Sequence, residues 1–147
     1  MSEIEIKFVA LYPNIQAPEY QQVGDAGADL RSRIDGEIPP LTRALVPTGL
    51  AIEIPEGYVG LVHPRSGLAI KAGIGMVNAP GTIDSGYRGE IQVILFNFDT
   101  EKTFTFTSGE RIAQLVIQKV ERAVFREVSS LSESQRGVSG FGSSGTQ

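Results

Sequence analysis

The sequence predicts an all-β fold of a single domain, of the sandwich or jelly-roll-like barrel kind, with one short helix. Three observations carry this. Runs of β-branched and aromatic residues are short, turn formers separate them at brief intervals, and eight prolines and 17 glycines are scattered through the 147 residues. Such punctuation leaves a long helix little uninterrupted room, and many short strands between frequent turns are what sandwiches and small barrels require.

Taken in order, Ile4, Ile6 and Phe8 alternate with Glu5 and Lys7, the period-two pattern of a half-buried strand. Tyr58 to Val62 follows the turn signal Pro55-Glu56-Gly57 and reads as a second strand. Ser66 to Ala72, containing Leu68, Ala69, Ile70 and Lys71, is the one good candidate for a helix. Asn78 and Pro80-Gly81 suggest a hairpin bend. Ile91 to Phe98 is an apolar run rich in β-formers, Thr103 to Thr107 alternates threonine with phenylalanine, and Ile112 to Val120 supplies a further β-branched stretch.

From Ser129 onward the composition changes to Ser, Gly and Gln, with glycines at 137, 140, 142 and 145. We therefore divide the chain into a β domain over residues 1–128 and a flexible arm over 129–147. A glycine-rich terminus of this kind ordinarily frays. Arg136 and Phe141 set among those glycines suit another use, a flap in which a ring stacks on a base and a guanidinium forks a phosphate.

Composition removes several classes of function. A chain of 147 residues can bury its own core, and no apolar run approaches the roughly 20 residues that a membrane-spanning helix needs. The start, Met1-Ser2-Glu3-Ile4-Glu5, does not read as a signal peptide. No cysteine is present, which rules out disulfides, thiolate metal sites and cysteine nucleophiles and is compatible with a reducing cytoplasm. One histidine leaves no serine triad and no zinc site of the usual type; His63, just before Pro64-Arg65, is given no role. A formal net charge of −4 lacks the broad basic surface that nucleic-acid binding needs. A polyanionic ligand would have to be small and held by a few arginines and backbone amides.

Five stretches could supply that chemistry. Asp25-Ala26-Gly27-Ala28-Asp29-Leu30 sets two carboxylates among small residues that let a ligand or hydrated cation approach; alone it reads first as a polar turn. Pro64-Arg65-Ser66-Gly67-Leu68-Ala69 joins a strand to the helix, so that helix-start amides, a hydroxyl and a guanidinium share one corner; alone, Ser66 reads equally as a plain N-cap. In Gly81-Thr82-Ile83-Asp84-Ser85-Gly86-Tyr87-Arg88-Gly89-Glu90-Ile91, a turn after Asp84 would present its carboxylate, either as a turn cap or as a group that orients and deprotonates water. Gly109-Glu110-Arg111-Ile112-Ala113-Gln114-Leu115 places Arg111 and Gln114 at the start of a strand, and Arg136 to Gly145 is the arm.

In this order and at these spacings, the five stretches resemble the motifs of the trimeric dUTPase family, and the likeness runs from about residue 4 to the C-terminus. The resemblance implies a jelly-roll subunit, a homotrimer with shared active sites, and hydrolysis of dUTP to dUMP and pyrophosphate with Mg²⁺ as cofactor. It implies roles as well. Asp84 is expected as the general base and Asp29 as the holder, through water, of the Mg²⁺. Arg65, Ser66 and Gly67 are expected on phosphate oxygens, with Gln114 beside them. Asn78 and the backbone of Gly81, Thr82 and Ile83 would pair with the uracil edge, and Tyr87 would pack under the deoxyribose. Phe141 and Gly142 would close over the base, and Arg136 would reach the γ-phosphate. A dCTP deaminase of the same fold is the nearest alternative, but Asp84-Ser85-Gly86-Tyr87 followed by the arm resembles the dUTPase side. A non-catalytic dUTP-binding trimer fits less well with the complete set of Asp29, Ser66, Asp84, Tyr87 and Arg136.

Overall fold

β-Strands and turns account for nearly all regular structure in the computed structural model, which describes residues 3–145. In chain order the elements are β1 (Lys7–Ala10), β2 (Ala28–Arg31), β3 (Gly36–Ile38), β4 (Arg43–Pro47), β5 (Leu50–Glu53), β6 (Tyr58–His63), α1 (Ser66–Ala72), β7 (Ile74–Met76), β8 (Gly81–Ile83), β9 (Gln92–Asn97), β10 (Phe104–Phe106) and β11 (Arg111–Lys119). The strands pair antiparallel in four groups, β1-β5, β10-β3, β2-β11-β6-β8 and β4-β9-β7. This is a jelly-roll-like β fold with one helix, as the turn-rich sequence predicts. No helix of the described residues is long and apolar enough to cross a membrane.

Alternation along the strands fills the interior. In β9, Val93, Leu95 and Asn97 point inward and are essentially sealed from solvent, and Ile38, Val46, Ile74, Ile112 and Leu30 meet them in the same cluster. Burying an aliphatic side chain of this size is worth about 1.5–3 kcal/mol. The one amide in that company is fully paired. Asn97 Nδ2 donates to the carbonyls of Ile38 and Lys102, and its Oδ1 accepts from the Asp99 amide. Asp99 in turn accepts from the amides of Lys102 and Glu101, which hold its carboxyl below the usual carboxylate range.

Two local expectations shift. Ile4 and Ile6 are half-buried as their alternation predicts, but the hydrogen-bonded strand begins later, at Lys7, because its partner β5 offers the register Lys7↔Glu53 to Ala10↔Leu50. The bend at Asn78 to Pro80, with its cis Ala79–Pro80 bond, is also not a closed hairpin. β7 pairs with β9 and β8 pairs with β6, so this segment crosses from one sheet to another. The helix falls where the sequence places it and ends at Gly73, whose left-handed φ of 64° lets its amide bond back to Ala69. β11 is the last strand, and every described residue after it is exposed except the half-buried Gly140.

Candidate active site

The central sheet positions the first group of side chains. Antiparallel registers align Asp29 of β2 with Gln114 of β11, and Gln114 with His63 of β6, in one row across three strands. A register shift between Arg111 and Ala113 makes β11 bulge there, which re-aims the side chains at the start of the strand. The guanidiniums of Arg111 and Arg65 reach Asp29 from two sides, at 3.3 Å to Oδ2 and 3.4 Å to Oδ1. Asp29 is only 8% exposed. Burying that carboxylate requires the two cations, and both keep exposed surface.

Around this ion-paired centre lies a cavity of about 320 Å³ lined by Asp25, Gly27, Asp29, Arg65, Ser66, Gly67 and Gln114, with Gln21 at its edge. Gln114 donates to the Pro64 carbonyl at 3.1 Å. A Cβ at residue 27 would collide with the Gln114 amide oxygen, so glycine is what lets that side chain lie across the row. Asp25 caps its own turn, accepting from the Gln22 amide at 2.9 Å, as the polar-turn reading has it. Ser66 is not the N-cap. Arg65 holds that position in an extended conformation, Ser66 is the first helical residue, and no side chain caps the helix start. The Arg65 guanidinium carries only donors and cannot cap helix amides; it engages Asp29 and the Arg111 carbonyl instead. Early helical amides without a capping side chain face a cavity that already holds guanidiniums, which suits an anion.

A second cavity of about 320 Å³ lies at the other edge of the sheet, beyond β8. Asn78, Gly81, Thr82, Ile83, Asp84 and Tyr87 line it, together with Leu45, Val62, Met76, Glu90, Ile91 and Gln92. Asp84 is exposed and starts a turn in which its carbonyl accepts from the Tyr87 amide at 3.0 Å. The Tyr87 ring folds back over Gly89 and its hydroxyl donates to the Glu90 carbonyl at 2.9 Å. Apolar side chains and the polar Asn78, Thr82, Asp84 and Gln92 share this lining, whereas the first cavity is lined mainly by charged and polar residues.

The sequence-predicted residues thus fall into three places. Asp29, Arg65, Ser66, Gly67 and Gln114 gather around the charged cavity, and Asn78, Gly81, Thr82, Ile83, Asp84 and Tyr87 around the other. Arg136, Phe141 and Gly142 join neither. Arg136 Nε donates to the Ser139 carbonyl, and Phe141 stands fully exposed with a φ of 51°. The two cavities share no lining residue. β2 and β8 are the outer strands of their sheet, three inter-strand spacings or about 14 Å apart. Sequence reasoning did not assign Glu90, Gln92, Leu45 or the ion-pairing Arg111 to the site. Arg111 and Glu90 sit inside the motif stretches, but their partners, Asp29 and Gly49, are distant in sequence.

Comparison with known proteins is decisive at this point. The dUTPase family model matches residues 13–145. The chain belongs to the dUTPase family. Proteins named deoxyuridine 5'-triphosphate nucleotidohydrolase from Streptomyces coelicolor and Corynebacterium glutamicum are 51% and 54% identical to it; the alignments cover 97% and 95% of this chain and 78% and 94% of those proteins. Among solved structures, the dUTPase of Staphylococcus bacteriophage 80alpha with dUPNHPP superposes with a TM-score of 0.89 at 32% identity, covering 97% of this chain and 99% of that one. A mutant dUTPase of the S. aureus phage phi11, described with a structural Mg(II) ion, does so with a TM-score of 0.82 at 26% identity, over 88% and 100% of the two chains.

Proposed function

We propose that this chain hydrolyses dUTP to dUMP and pyrophosphate in the cytoplasm, as a homotrimer whose active sites each combine the two cavities from different subunits. The observation that carries the composite site is their separation. Base-sized and anion-suited cavities on opposite edges of one sheet complement each other across a boundary between copies, not within one chain. Family membership and the dUTPase names of its relatives support the reaction.

In this reading Asn78 and the backbone of Gly81, Thr82 and Ile83 take the uracil edge, and Tyr87 packs under the deoxyribose, leaving no room for a 2′-hydroxyl. Asp84 orients and deprotonates the water that attacks the α-phosphorus. Arg65, Ser66 and Gly67 hold phosphate oxygens with Gln114 beside them. The arm closes from a neighbouring subunit, Phe141 and Gly142 over the base and Arg136 on the γ-phosphate, excluding bulk water.

The donor set fits Mg²⁺ of a particular kind. Among the described residues no three acidic, His or Cys side chains form a metal cage; Asp29 offers one buried carboxylate already facing two guanidiniums. That suits an ion that keeps most of its waters, takes phosphate oxygens and meets Asp29 through water. Bound there, Mg²⁺ would supply charge neutralisation on the triphosphate.

Pyrophosphate release from dUTP, dTTP, dCTP, dATP, dGTP and UTP, with Mg²⁺ and with EDTA, tests the proposal. Strong preference for dUTP and loss of rate in EDTA are expected. Ammonia release from dCTP would instead make it a deaminase.

A further inference from the structure

Tyr87 is held from both ends, and one of its anchors leads away from the cavity. Its hydroxyl donates to the backbone carbonyl of Glu90, and the Glu90 side chain turns from the cavity into the body of the fold. There Glu90 Oε1 accepts from the Gly49 amide at 2.8 Å and from Arg33 Nε at 3.3 Å, with the carboxylate side chain only 18% exposed. Arg33 is itself seated, its guanidinium carbon 3.9 Å from the centroid of the Tyr12 ring. Gly49 has a φ of +75°, and a Cβ there would press into Ile15 and Arg33, so the amide approaches Glu90 at a point where only glycine fits. On the other flank, the Ile91 amide donates to Leu50 and the Ile91 carbonyl accepts from Thr48 Oγ1.

We infer that Glu90 is a positioning residue for sugar discrimination. Its carboxylate, clamped by the Gly49 amide and by Arg33 on Tyr12, fixes the carbonyl that holds the Tyr87 hydroxyl, and so sets how closely the Tyr87 ring walls the sugar. The inference deepens the proposed function and rests on Tyr87 packing under the deoxyribose. The physical case is one of leverage. A part-buried carboxylate with two partners, one of them a cation, is a stiff anchor, whereas Tyr87 sits on an exposed turn beside Gly86 and its ring is held only through its hydroxyl. A wall displaced by about 1 Å is enough to admit a hydroxyl, and misplacement of that size changes rates by up to about a hundredfold.

The test is kcat/KM for dUTP and for UTP in wild type, Glu90→Ala, Glu90→Gln and Arg33→Met, with Tm for each. Glu90→Ala should lower the dUTP to UTP ratio about tenfold or more. Glu90→Gln keeps an acceptor for the Gly49 amide and should stay within about threefold of wild type. Arg33→Met, which leaves that amide bond but removes the counter-ion, should fall between them. If Glu90→Ala loses activity toward both substrates alike, with the ratio unchanged, Glu90 is a stability residue only and the inference is overturned. Should Glu90→Ala fail to fold, Arg33→Met decides by the same ratio. A wild-type enzyme that uses UTP as well as dUTP overturns the role of Tyr87 itself, and this inference with it.

Discussion

The two cavities of the central sheet hold nearly equal volumes but are built from different materials. At the β8 edge the walls are apolar side chains, the polar Asn78, Thr82, Asp84 and Gln92, and a tyrosine tied down by a hydrogen bond. At the β2 edge a buried carboxylate faces two guanidiniums, and Gln21, Asp25, Gln114 and small residues complete the lining. In the proposed reading, the fit of base and sugar selects at the first. In that reading charge selects at the second, where Arg65 is proposed to meet phosphate oxygens. A ligand with a flat base and a polyphosphate needs both, and one chain keeps them apart.

The largest effect should separate chemistry from binding. Asp84→Asn is nearly isosteric and removes the proposed proton acceptor, so turnover of dUTP should fall by roughly 10²–10⁴-fold with dUTP affinity, measured by calorimetry, retained. Co-refolding it with an Arg65→Ala chain should restore activity above both parents, because some mixed sites pair an intact Asp84 with an intact Arg65. Tagged mixed trimers that stay as inactive as the parents would show that one chain supplies both halves.

Next comes the arm. A chain ending at Leu131 should fold and trimerise normally, as the glycine-rich segment beyond it buries almost nothing, while its kcat/KM for dUTP drops sharply. A lowered Tm or a changed sedimentation coefficient would mean that the segment belongs to the folded body.

Asp29→Ala sharpens the contrast between shape and charge. It strands two guanidiniums that are partly exposed, so the cost in stability should be modest. The loss should appear as weaker, less Mg²⁺-dependent dUTP binding, with affinity for deoxyuridine unchanged. Equal weakening for deoxyuridine would mean that the cavities are not independent.

The smallest effect has opposite signs in two measurements. A Cβ on Gly67 meets nothing within 4 Å of the chain, and alanine is a better helix former than glycine by up to about 1 kcal/mol. Gly67→Ala should therefore raise Tm by a degree or two while lowering kcat/KM for dUTP, since the new methyl stands where phosphate is proposed to sit. A raised Tm with unchanged kinetics would remove Gly67 from the phosphate site.

What the sequence determined by itself is whatever local chemistry decides. Helix Ser66–Ala72 and the strands Tyr58–His63, Gln92–Asn97, Phe104–Phe106 and Arg111–Lys119 fall within a residue of runs whose periodicity and turn residues are self-sufficient. The motif stretches were equally legible as residues, and most of the candidate site residues do line one of the two cavities. Only the tertiary structure decided who pairs with whom. The expected hairpin at Asn78–Gly81 became a crossing because β9 and β6, far along the chain, offered edges to β7 and β8. Ser66 is the first helical residue instead of the N-cap, and Arg65 at that position sends its guanidinium to Asp29, 36 positions earlier. The division of one motif set between two cavities followed from the strand order β2-β11-β6-β8. Hydrogen-bond registers between distant strands are set by the burial of both faces at once, and no window of the sequence contains that condition.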